Sequence, residues 1–510
     1  MAVRLADLLA GLSRLADLGF GLEVGAALRS CALATRLSDS LGCSPDEARG
    51  AFYTALLHHV GCAGYSHETA RLLGDDIAAN TAAGRTDAAS PTDVVTTFLP
   101  TLTRGRPLLE RARLVFVALT RGNRWGDEFT ATACDLGRDT ARRLGLPDEA
   151  QAGLFHVYDL WSDGRDDAQG GEAIPIAARI ARLTGIAVLF ASLGGTTLAV
   201  DAVRRRSGGM LDPVLVSEFA RQADAWLAEV DDADLRTLVL DAEPSPPETV
   251  DDISLVAGVF GDLADLKSPY LVGHSRGVAS LAAGAAARLA PGARSDLEVA
   301  GLLHDVGRAA VSSGVWDKPG PLNDAEREQV RLHPYYSERI LAGSVELSRL
   351  APLVGRHHER LDGTGYHRGS DAADLSTQSR ILAAADTFRA MTERRPHRIA
   401  LSPAEAEREL VGEAEHGRLD PDAVQAVLEA AGRRVAVPSR RLPEGLSERE
   451  AEVLALLAGG CSNAQIAARL VISRRTAEHH VQHIYTKIGV SSRAAATLFA
   501  LDHHLLERNG

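Results

Sequence analysis

The 510-residue sequence contains few aromatic side chains, which make up 5% of it, and few stretches in which apolar and polar residues alternate. Alternation with a period of two is typical of half-buried β-strands, so its scarcity argues against a sheet protein. Alanine, leucine, arginine and glycine dominate instead. We therefore predict an all-α fold, and the length predicts two to four domains, each with a core of its own.

The sequence also lacks the marks of a secreted or membrane protein. Its cysteines are odd in number and have no metal-type spacing, which is typical of unpaired thiols in a reducing cytoplasm; they are Cys31, Cys43, Cys62, Cys134 and Cys461. Residues 1–7 predict an amphipathic helix rather than a signal peptide. The most apolar run, Ile186–Val200, is too short to span a bilayer and contains Gly194 and Gly195. We expect a soluble cytoplasmic protein that does not enter a membrane.

What the sequence does contain is a concentration of histidine and aspartate between residues 274 and 386. At its centre the apolar run Leu297–Leu303 ends in His304 and Asp305, and Gly307 follows, which predicts a buried helix and its end. An adjacent imidazole and carboxylate can bind one metal ion or bridge two, although such a pair on its own is more often part of a core or a helix cap. The other members of the group are His274, His333, His357, His358 and Asp386. Imidazoles mixed with carboxylates, without cysteine, suit Fe, Mn or Zn.

The motifs around these residues resemble those of the HD-GYP family of metal-dependent phosphohydrolases, over about residues 250–435. The family's HD-x-G-K motif corresponds to residues 304–308, its HHE-x-x-D-G-x-G-Y-P motif to residues 357–367, and its A-D-x-x-D-A…R-P-(Y/H)-R stretch to residues 385–398. The resemblance implies a helical bundle with metal ligands at His274, His304, Asp305, His333, His357, His358 and Asp386. It also implies that Asp305 bridges two metal ions.

The segment departs from the family pattern at several positions. The family lysine is Arg308, which keeps the positive charge and can bind phosphate through two nitrogens. The last proline of G-Y-P is His367, and the second aspartate of A-D-x-x-D is Arg389. Because the G-Y-P loop helps to define substrate preference in the family, the identity of the substrate stays open. Tyr270 stands where some members carry a glutamate for a third metal, which favours two metal ions.

The resemblance also suggests catalytic roles. A binuclear centre that includes Asp305 would activate a water molecule for attack on a phosphodiester. Arg308 would neutralise the phosphate oxygens. Lys267 lies in the segment 265–270, which is similar to an Asp-x-Lys-x-x-Tyr lead-in of the family. It is a further candidate for contact with phosphate, and the alternative is an ordinary solvated lysine.

The first half of the chain repeats the second. Three segments match in the same order: 55–62 with 301–308, 174–181 with the run leading to 379–382, and 211–216 with 419–424. In the first copy the chemistry is lost, because His59 replaces the bridging aspartate, Cys62 the basic residue and Gly185 the counterpart of Asp386. We therefore predict a degenerate domain at 1–239, a linker or extended strap at 240–252, the metal-binding domain at 253–435 and a second linker at 436–444. His58 and His59 would pack in a core; a regulatory pocket left in the inactive fold is the alternative.

Residues 445–510 follow a different pattern. Ser447 with Glu450 predicts a capped helix that ends at Gly459-Gly460, and Ser462 caps the next short helix. The segment Arg474–Ile488 predicts a third helix, polar and basic at its start. Two short capped helices joined by a tight turn describe a helix-turn-helix.

This stretch resembles the LuxR-type DNA-binding domain over its whole length. The resemblance implies that Glu478, His479 and Gln482 face bases of double-stranded DNA. The residues that would reach phosphates or position the recognition helix are Arg475, Thr476, His483, Lys487 and Arg493. The chain as a whole has a net charge of −13, which argues against nucleic-acid binding by its entire surface. Residues 440–510 carry nine positive and seven negative side chains, a balance of +2, so a homodimer is needed for useful affinity.

Two hypotheses of function follow. The first is a DNA-binding transcriptional regulator whose second copy, with two divalent ions such as Fe or Mn, hydrolyses a phosphodiester such as a cyclic dinucleotide. The alternative is a transcription factor whose site binds a metal or a nucleotide without turnover. A helical scaffold for dimerisation is a third interpretation, but it leaves the group of ligand-type residues unexplained.

Overall fold

Helices make up nearly all the regular structure of the computed structural model, which describes residues 2–162, 170–232, 234–433, 443–490, 492–503 and 505. The prediction of an all-α fold, with a repeated helical unit followed by a small helix-turn-helix domain, is confirmed. The predicted linker 436–444 lies outside the described residues as far as residue 442. We refer below to residues 2–242 as the first copy and to residues 253–433 as the second copy.

The helices of the two copies follow one another with short connections. Those of the first copy are α1 (Leu5–Phe20), α2 (Ala26–Leu41), α3 (Pro45–Leu56), α4 (Ser66–Leu73), α5 (Asp76–Arg85), α6 (Pro91–Asp93), α7 (Leu99–Thr103), α8 (Leu108–Arg143), α9 (Asp148–His156), α10 (Ile176–Arg205), α11 (Pro213–Asp232) and α12 (Leu235–Ala242). Those of the second copy are α13 (Ile253–Asp265), α14 (His274–Leu289), α15 (Arg294–Leu303), α16 (Ser313–Trp316), α17 (Asp324–Arg331), α18 (His333–Leu341), α19 (Val345–Ser348), α20 (Ala351–Val354), α21 (Thr377–Met391), α22 (Pro403–Glu415) and α23 (Pro421–Ala430).

The C-terminal domain contains α24 (Glu448–Ala458), α25 (Asn463–Arg469), α26 (Arg474–Lys487) and α27 (Arg493–Asp502). The predicted caps are present: Ser447 forms a capping box with Glu450, and Ser462 forms one with Gln465. Each box satisfies backbone N–H groups that a helix start leaves without partners. The domain has an apolar core of its own, built around Leu454, Ile466 and Ile484 among others.

The segment after α12 is an extended strap rather than a free linker. Its Thr249–Val250 (β2) pairs antiparallel with Val3–Arg4 (β1), with Val3 opposite Val250. Before β2, the buried carboxylate of Glu243 accepts a hydrogen bond from the Tyr53 hydroxyl at 2.5 Å. The strap is therefore held against the first copy along its length.

The second long helix begins in the same way in both copies. A glycine with left-handed backbone stands just before it, Gly25 with φ 94° in the first copy and Gly273 with φ 82° in the second. A residue with a side chain is strained at such a φ. The next residue begins the helix, and it is Ala26 in the first copy and His274 in the second. The first copy thus lacks the counterpart of His274.

A second shared feature is an ion pair between two later helices. Arg179 lies 2.7 Å from Asp212 in the first copy, and Arg380 lies 3.0 Å from Asp420 in the second. Each pair joins the long apolar helix of its copy to the residue before a later helix, which is α11 in the first copy and α23 in the second. The predicted internal repeat is therefore visible in the packing as well as in the sequence.

Aromatic rings fill the first copy where the second has its acidic and imidazole groups. His58 and His59 stack with their ring centroids 4.1 Å apart, and Phe20 stacks on His59 at 3.9 Å. The Tyr158 hydroxyl lies 3.1 Å from His59 Nδ1. A Cβ at Gly185 would lie 2.8 Å from His58 Nδ1, so no aspartate fits there without displacing the ring. Burial lowers the pKa of His59 to about 3, which keeps it neutral.

One cluster of buried apolar residues runs through both copies, and a smaller cluster lies within the first copy. The larger cluster is shared because one helix of each copy packs on both copies. Helix α1 packs on the short 3-10 turn Val306–Ala310 of the second copy as well as on Val60–Tyr65 of its own. Helix α13 likewise packs on both turns. Apolar residues of either copy are thereby buried against the other.

One described helix, α10, is long and apolar enough to cross a membrane by length and composition. Ile180, Leu183 and Ala187 in its first half are buried in the shared core. The helix is interrupted at Gly194 and at Gly195, whose φ is 73°. Its apolar character is thus used for packing over the first half.

Candidate metal centre and DNA-binding surface

The predicted ligands come together in one cluster within the second copy. Different helices supply them: His274 begins α14, the pair 304–305 follows α15, His333 begins α18, the pair 357–358 follows α20, and Asp386 lies in α21. Three groups have all their ligand atoms within 4.8 Å of one another: His333, His357 and His358; His274, His304 and Asp386; and His304, Asp305 and His357. The cluster is buried, with only His358 partly exposed.

Asp305 stands between two sets of imidazoles. Its Oδ2 lies 3.0 Å from His304 Nε2 and 3.4 Å from His274 Nε2. Its Oδ1 lies 3.1 Å from His333 Nε2 and 3.5 Å from His357 Nε2. The two oxygens of one carboxylate thus face two different groups of nitrogen atoms, which is the arrangement that a carboxylate bridging two metal ions requires.

Asp386 closes the cluster on the side of the cleft. Its Oδ1 lies 3.2 Å from His274 Nε2, and its Oδ2 lies 3.5 Å from His358 Nδ1. The ring of Tyr366, from the loop that carries the G-Y pair, lies over His358 with 4.7 Å between centroids.

The charges of the cluster are those of a cation site. Burial alone would lower the pKa of His274, but the carboxylates of Asp305 and Asp386 raise it to about 10. Burial likewise lowers the pKa of His304, and the same carboxylates raise it to about 9. Burial would raise the pKa of Asp305, but Arg308 and the imidazoles hold it well below its usual range. Both carboxylates therefore stay ionised and attract positive charge.

The residues fit divalent metal ions. His274 Nε2, His304 Nε2 and Asp305 Oδ1 are buried, and they form no hydrogen bond with any described residue despite their proximity. A buried polar atom without a partner costs about 1–3 kcal/mol, so the convergence of several such atoms indicates a ligand that satisfies them. Imidazole nitrogens and carboxylate oxygens without thiolates suit Fe, Mn or Zn.

The other ring nitrogen of four of the five histidines has a fixed partner. Nδ1 of His304, His333 and His357 donates to the backbone carbonyl three residues earlier, at 2.8, 2.6 and 2.7 Å respectively. Nδ1 of His274 lies 2.9 Å from the Glu393 carboxylate. Such contacts fix the tautomer and direct Nε2 toward the metal.

Glu393 was not among the residues predicted from the sequence. Arg389 occupies the position of the family's second aspartate, and its Nε lies 2.7 Å from Glu393 Oε1. Glu393 comes four residues later, beyond the end of α21. The signal in the sequence was a glutamate four residues after Arg389, the position where the family has its second aspartate. Only the folded structure shows that the carboxylate of Glu393 reaches His274.

Glu393→Gln is expected to weaken metal binding about 10- to 100-fold, because it removes the charged partner that orients His274. Calorimetric titration of the metal-free protein with Mn²⁺ would measure this. Glu413→Gln, which changes a surface ion pair with Arg418 in the same copy, serves as the matched control. Equal Mn²⁺ affinity in the two variants would contradict the prediction.

A cleft of about 230 Å³ opens onto the cluster at His333, His358 and Asp386. Arg308 lies on its wall, 94% buried, with Nη2 2.6 Å from Asp305 Oδ2. Its Nε and Nη1 form no hydrogen bond with the described part of the chain. The ring of Trp316 covers the guanidinium at 4.9 Å. These two nitrogens are buried donors without a partner beside the cleft.

Lys267 is placed elsewhere, so the prediction that it contacts phosphate is wrong. Its ammonium is 99% buried and forms an ion pair with Asp76 of the first copy. The lead-in segment packs against the first copy, which turns the lysine away from the cleft. His367, the other departure in the G-Y-P loop, packs on Tyr335, with 5.7 Å between ring centroids.

The C-terminal domain exposes one side of α26. The side chains exposed there are Arg475, Thr476, Glu478, His479, Gln482 and His483. Two predicted DNA contacts are engaged within the domain. Lys487 Nζ lies 2.7 Å from Glu450, and Arg493 donates to the Cys461 carbonyl at 2.7 Å. Their bonds hold α26 and α27 against α24, which agrees with a role in positioning the recognition helix.

Comparison with known proteins matches a family to the second copy and another to the C-terminal domain. The HD domain family matches residues 258–423, and the luxR family of bacterial regulatory proteins matches residues 444–500. The chain is 31% identical over 434 residues to the 3'3'-cGAMP-specific phosphodiesterase 3 of Vibrio cholerae serotype O1, which covers 84% of this chain and 94% of that protein.

Two further similarities concern the fold and the last domain. A crystal structure of a cyclic GMP-AMP specific phosphodiesterase of V. cholerae, V-cGAP3, superposes with a TM-score of 0.59 and 27% identity, over 85% of this chain and 99% of that one. The probable transcriptional regulatory protein SgaR of Hyphomicrobium methylovorum is 48% identical over 66 residues, which are 13% of this chain and 30% of that protein. The chain therefore belongs to the HD-GYP family of metal-dependent phosphohydrolases and carries a LuxR-type DNA-binding domain at its C-terminal end.

Proposed function

We propose that the second copy hydrolyses a phosphodiester bond of a cyclic dinucleotide, and that this copy controls DNA binding by the C-terminal domain. The observation that carries the proposal is Asp305, which lies between two sets of imidazoles and pairs with the Arg308 guanidinium, whose Nε and Nη1 have no hydrogen-bond partner among the described residues. The residues that would hold two divalent ions, Fe or Mn, are His274, His304, Asp305, His333, His357, His358 and Asp386. When bound, such ions supply a nucleophile from water at neutral pH and polarise a phosphoryl oxygen.

The side chains around the cleft would bind and orient the phosphodiester. Arg308 Nε and Nη1 are buried without a hydrogen-bond partner among the described residues, and we propose that they donate to a non-bridging phosphate oxygen, which a charged planar donor suits. Trp316 restricts the guanidinium from one side. Burial of the cluster excludes bulk water, which strengthens these electrostatic contacts. The residues of the cleft thus neutralise negative charge where it develops.

The chemistry of the cleft wall supports a nucleotide as the substrate. Arg395 and Arg398 add positive charge beside Arg308, and Tyr366 and Trp316 offer aromatic surface for a base. The V. cholerae relative is described as specific for 3'3'-cGAMP, and we propose a cyclic dinucleotide of this class here. Hydrolysis of 3'3'-cGAMP and of cyclic di-GMP by the Mn²⁺- or Fe²⁺-loaded full chain, with elemental analysis of the same sample, tests this. Bound metal without hydrolysis would favour the alternative, a transcription factor whose site binds a metal or a nucleotide without turnover.

For the C-terminal domain we propose binding of double-stranded DNA in the cytoplasm as a homodimer. The exposed side of α26 would enter the major groove, with Glu478, His479 and Gln482 toward the bases. Arg475, Thr476 and His483 would contact the backbone. A dimer is needed because the domain carries little net positive charge.

Arg475→Ala and Gln482→Ala are expected to affect DNA binding differently. Loss of a phosphate contact at Arg475 should weaken binding to all sequences and reduce the slope of log K against log salt by about one. Loss of a base contact at Gln482 should cost about 1–3 kcal/mol and relax specificity at one base pair. Fluorescence anisotropy with selected and random duplexes over a salt series would measure both. Arg408→Ala, an exposed arginine on α22, is the control and should change neither quantity.

A further inference from the structure

Asp76 of the first copy is buried at the contact between the two copies. Its carboxylate forms the ion pair with Lys267 and accepts from the Ser312 hydroxyl and the Ser313 N–H at 2.8 Å each. The Ser313 hydroxyl in turn donates to the Lys267 carbonyl at 2.7 Å. One side chain of the first copy therefore ties together two segments of the second copy that are far apart in sequence.

These two segments form one wall of the cleft. Ser268, next to the buried lysine, and Trp316, at the end of α16, both line it. Trp316 covers the Arg308 guanidinium at 4.9 Å, and its indole N–H donates to the Arg308 carbonyl at 3.4 Å. Its ring also meets His333 edge to face at 5.5 Å. Trp316 therefore limits the Arg308 guanidinium on one side, while Asp305 binds it through Nη2.

The first copy touches this wall at further points. A Cβ at Gly314 would lie 2.7 Å from the Gly74 carbonyl oxygen, so the two backbones are in direct contact there. His67 Nδ1 lies 2.5 Å from the Asp317 carboxylate, which also accepts from the Ser268 hydroxyl at 2.5 Å. The wall is thus held by the first copy on both sides of α16.

Helix α16 contains four residues, which is too short for a helix to be stable by itself. Contacts with neighbouring segments must therefore hold α16 in place. The buried network around Asp76 supplies an ion pair and directional hydrogen bonds among these contacts. Burial would raise the pKa of Asp76, but Lys267 and the bonds from Ser312 and Ser313 hold it below its usual value. The carboxylate is therefore anionic at neutral pH and keeps all its partners.

We propose that Asp76 is a positioning residue for the Trp316–Arg308 wall, so that the degenerate first copy sets the affinity of the second copy for its phosphodiester substrate. This rests on the proposed function of the second copy. It gives the first copy a role in the reaction although it has lost the ligands for a metal centre of its own.

The test compares Asp76→Asn with Asp7→Asn in the full chain. Asp7 is also a buried carboxylate of the first copy, and it accepts from the Ser344 hydroxyl of the second copy at 2.7 Å, before α19 and away from the cleft-lining residues. Both variants should lower the melting temperature. Only Asp76→Asn should raise KM for 3'3'-cGAMP, on the order of tenfold to a hundredfold for a shifted binding group, with metal content unchanged. It should also accelerate amide hydrogen exchange of residues 306–317.

Ser312→Ala provides a milder variant in case Asp76→Asn does not fold. It keeps the ion pair and removes the Ser312 bond to Asp76 together with the Ser312 cap on the Gly314 N–H of α16, so KM and exchange should change in the same direction by a smaller factor. If the Asp76 and Ser312 variants match Asp7→Asn in KM and in exchange of residues 306–317, Asp76 only joins the copies and the proposal is wrong. If the wild-type chain hydrolyses no cyclic dinucleotide, the proposed function fails, whereas the exchange of residues 306–317 still decides whether Asp76 positions the wall.

Discussion

Asp305→Ala is expected to abolish hydrolysis, with a loss of at least about a thousandfold. The two oxygens of Asp305 face His304 on one side and His333 on the other, so its loss removes the carboxylate that lies between the two groups of imidazoles. Its removal also leaves the buried guanidinium of Arg308 without its anion. We expect less than one metal ion per chain by elemental analysis, together with the lost turnover.

The matched control for this prediction is His59→Ala, at the corresponding position of the first copy. His59 lies in a stack of aromatic rings and is neutral, so its truncation should lower stability without changing metal content or turnover per folded molecule. Turnover by Asp305→Ala within tenfold of the wild type would show that Asp305 does not hold the centre together. A loss of metal in His59→Ala would show that the first copy contributes ligands after all.

Gly307→Ala is expected to reduce hydrolysis about a hundredfold and to lower the free energy of unfolding by about 1–3 kcal/mol. A Cβ at this position would lie 2.1 Å from the His333 carbonyl oxygen and 2.4 Å from the Ser337 N. Both atoms belong to the backbone of α18, so the helix that begins with His333 must move. Steady-state kinetics and chemical denaturation of the metal-loaded chain would measure the two effects.

Alanine substitutions at two other glycines serve as controls that distinguish distortion of the site from a general change in stability. Gly412 in α22 has no atom within 4 Å of a would-be Cβ, so Gly412→Ala should stabilise the chain by about 0.5–1 kcal/mol and leave turnover unchanged. Gly61 is the counterpart of Gly307 in the first copy, and a Cβ there would lie 1.9 Å from the Ala133 carbonyl oxygen. Gly61→Ala should therefore be destabilising with little effect on turnover per folded molecule. Full activity in Gly307→Ala would mean that α18 can shift without disturbing His333.

The sequence alone was sufficient to predict the features that depend on residues close together along the chain. Helix starts such as Ser447 and Ser462 follow from side chains that bond N–H groups three residues away. The predicted metal ligands were also identifiable, because each stands in a local motif and chemistry restricts which residue types can bind a metal ion. All of them lie in one cluster.

The remaining features depend on which surfaces meet. Lys267 faces Asp76, Glu393 reaches His274, and one apolar cluster runs through both copies. Each of these contacts joins residues that are far apart along the chain, and local propensity does not determine the distance between them. That distance is set by how the apolar faces of α1 and α13 pack across both copies. The sequence by itself thus determined the ligand types, the repeat and the DNA-binding helix, whereas tertiary packing decided which charged groups serve the site and which serve the contact between the copies.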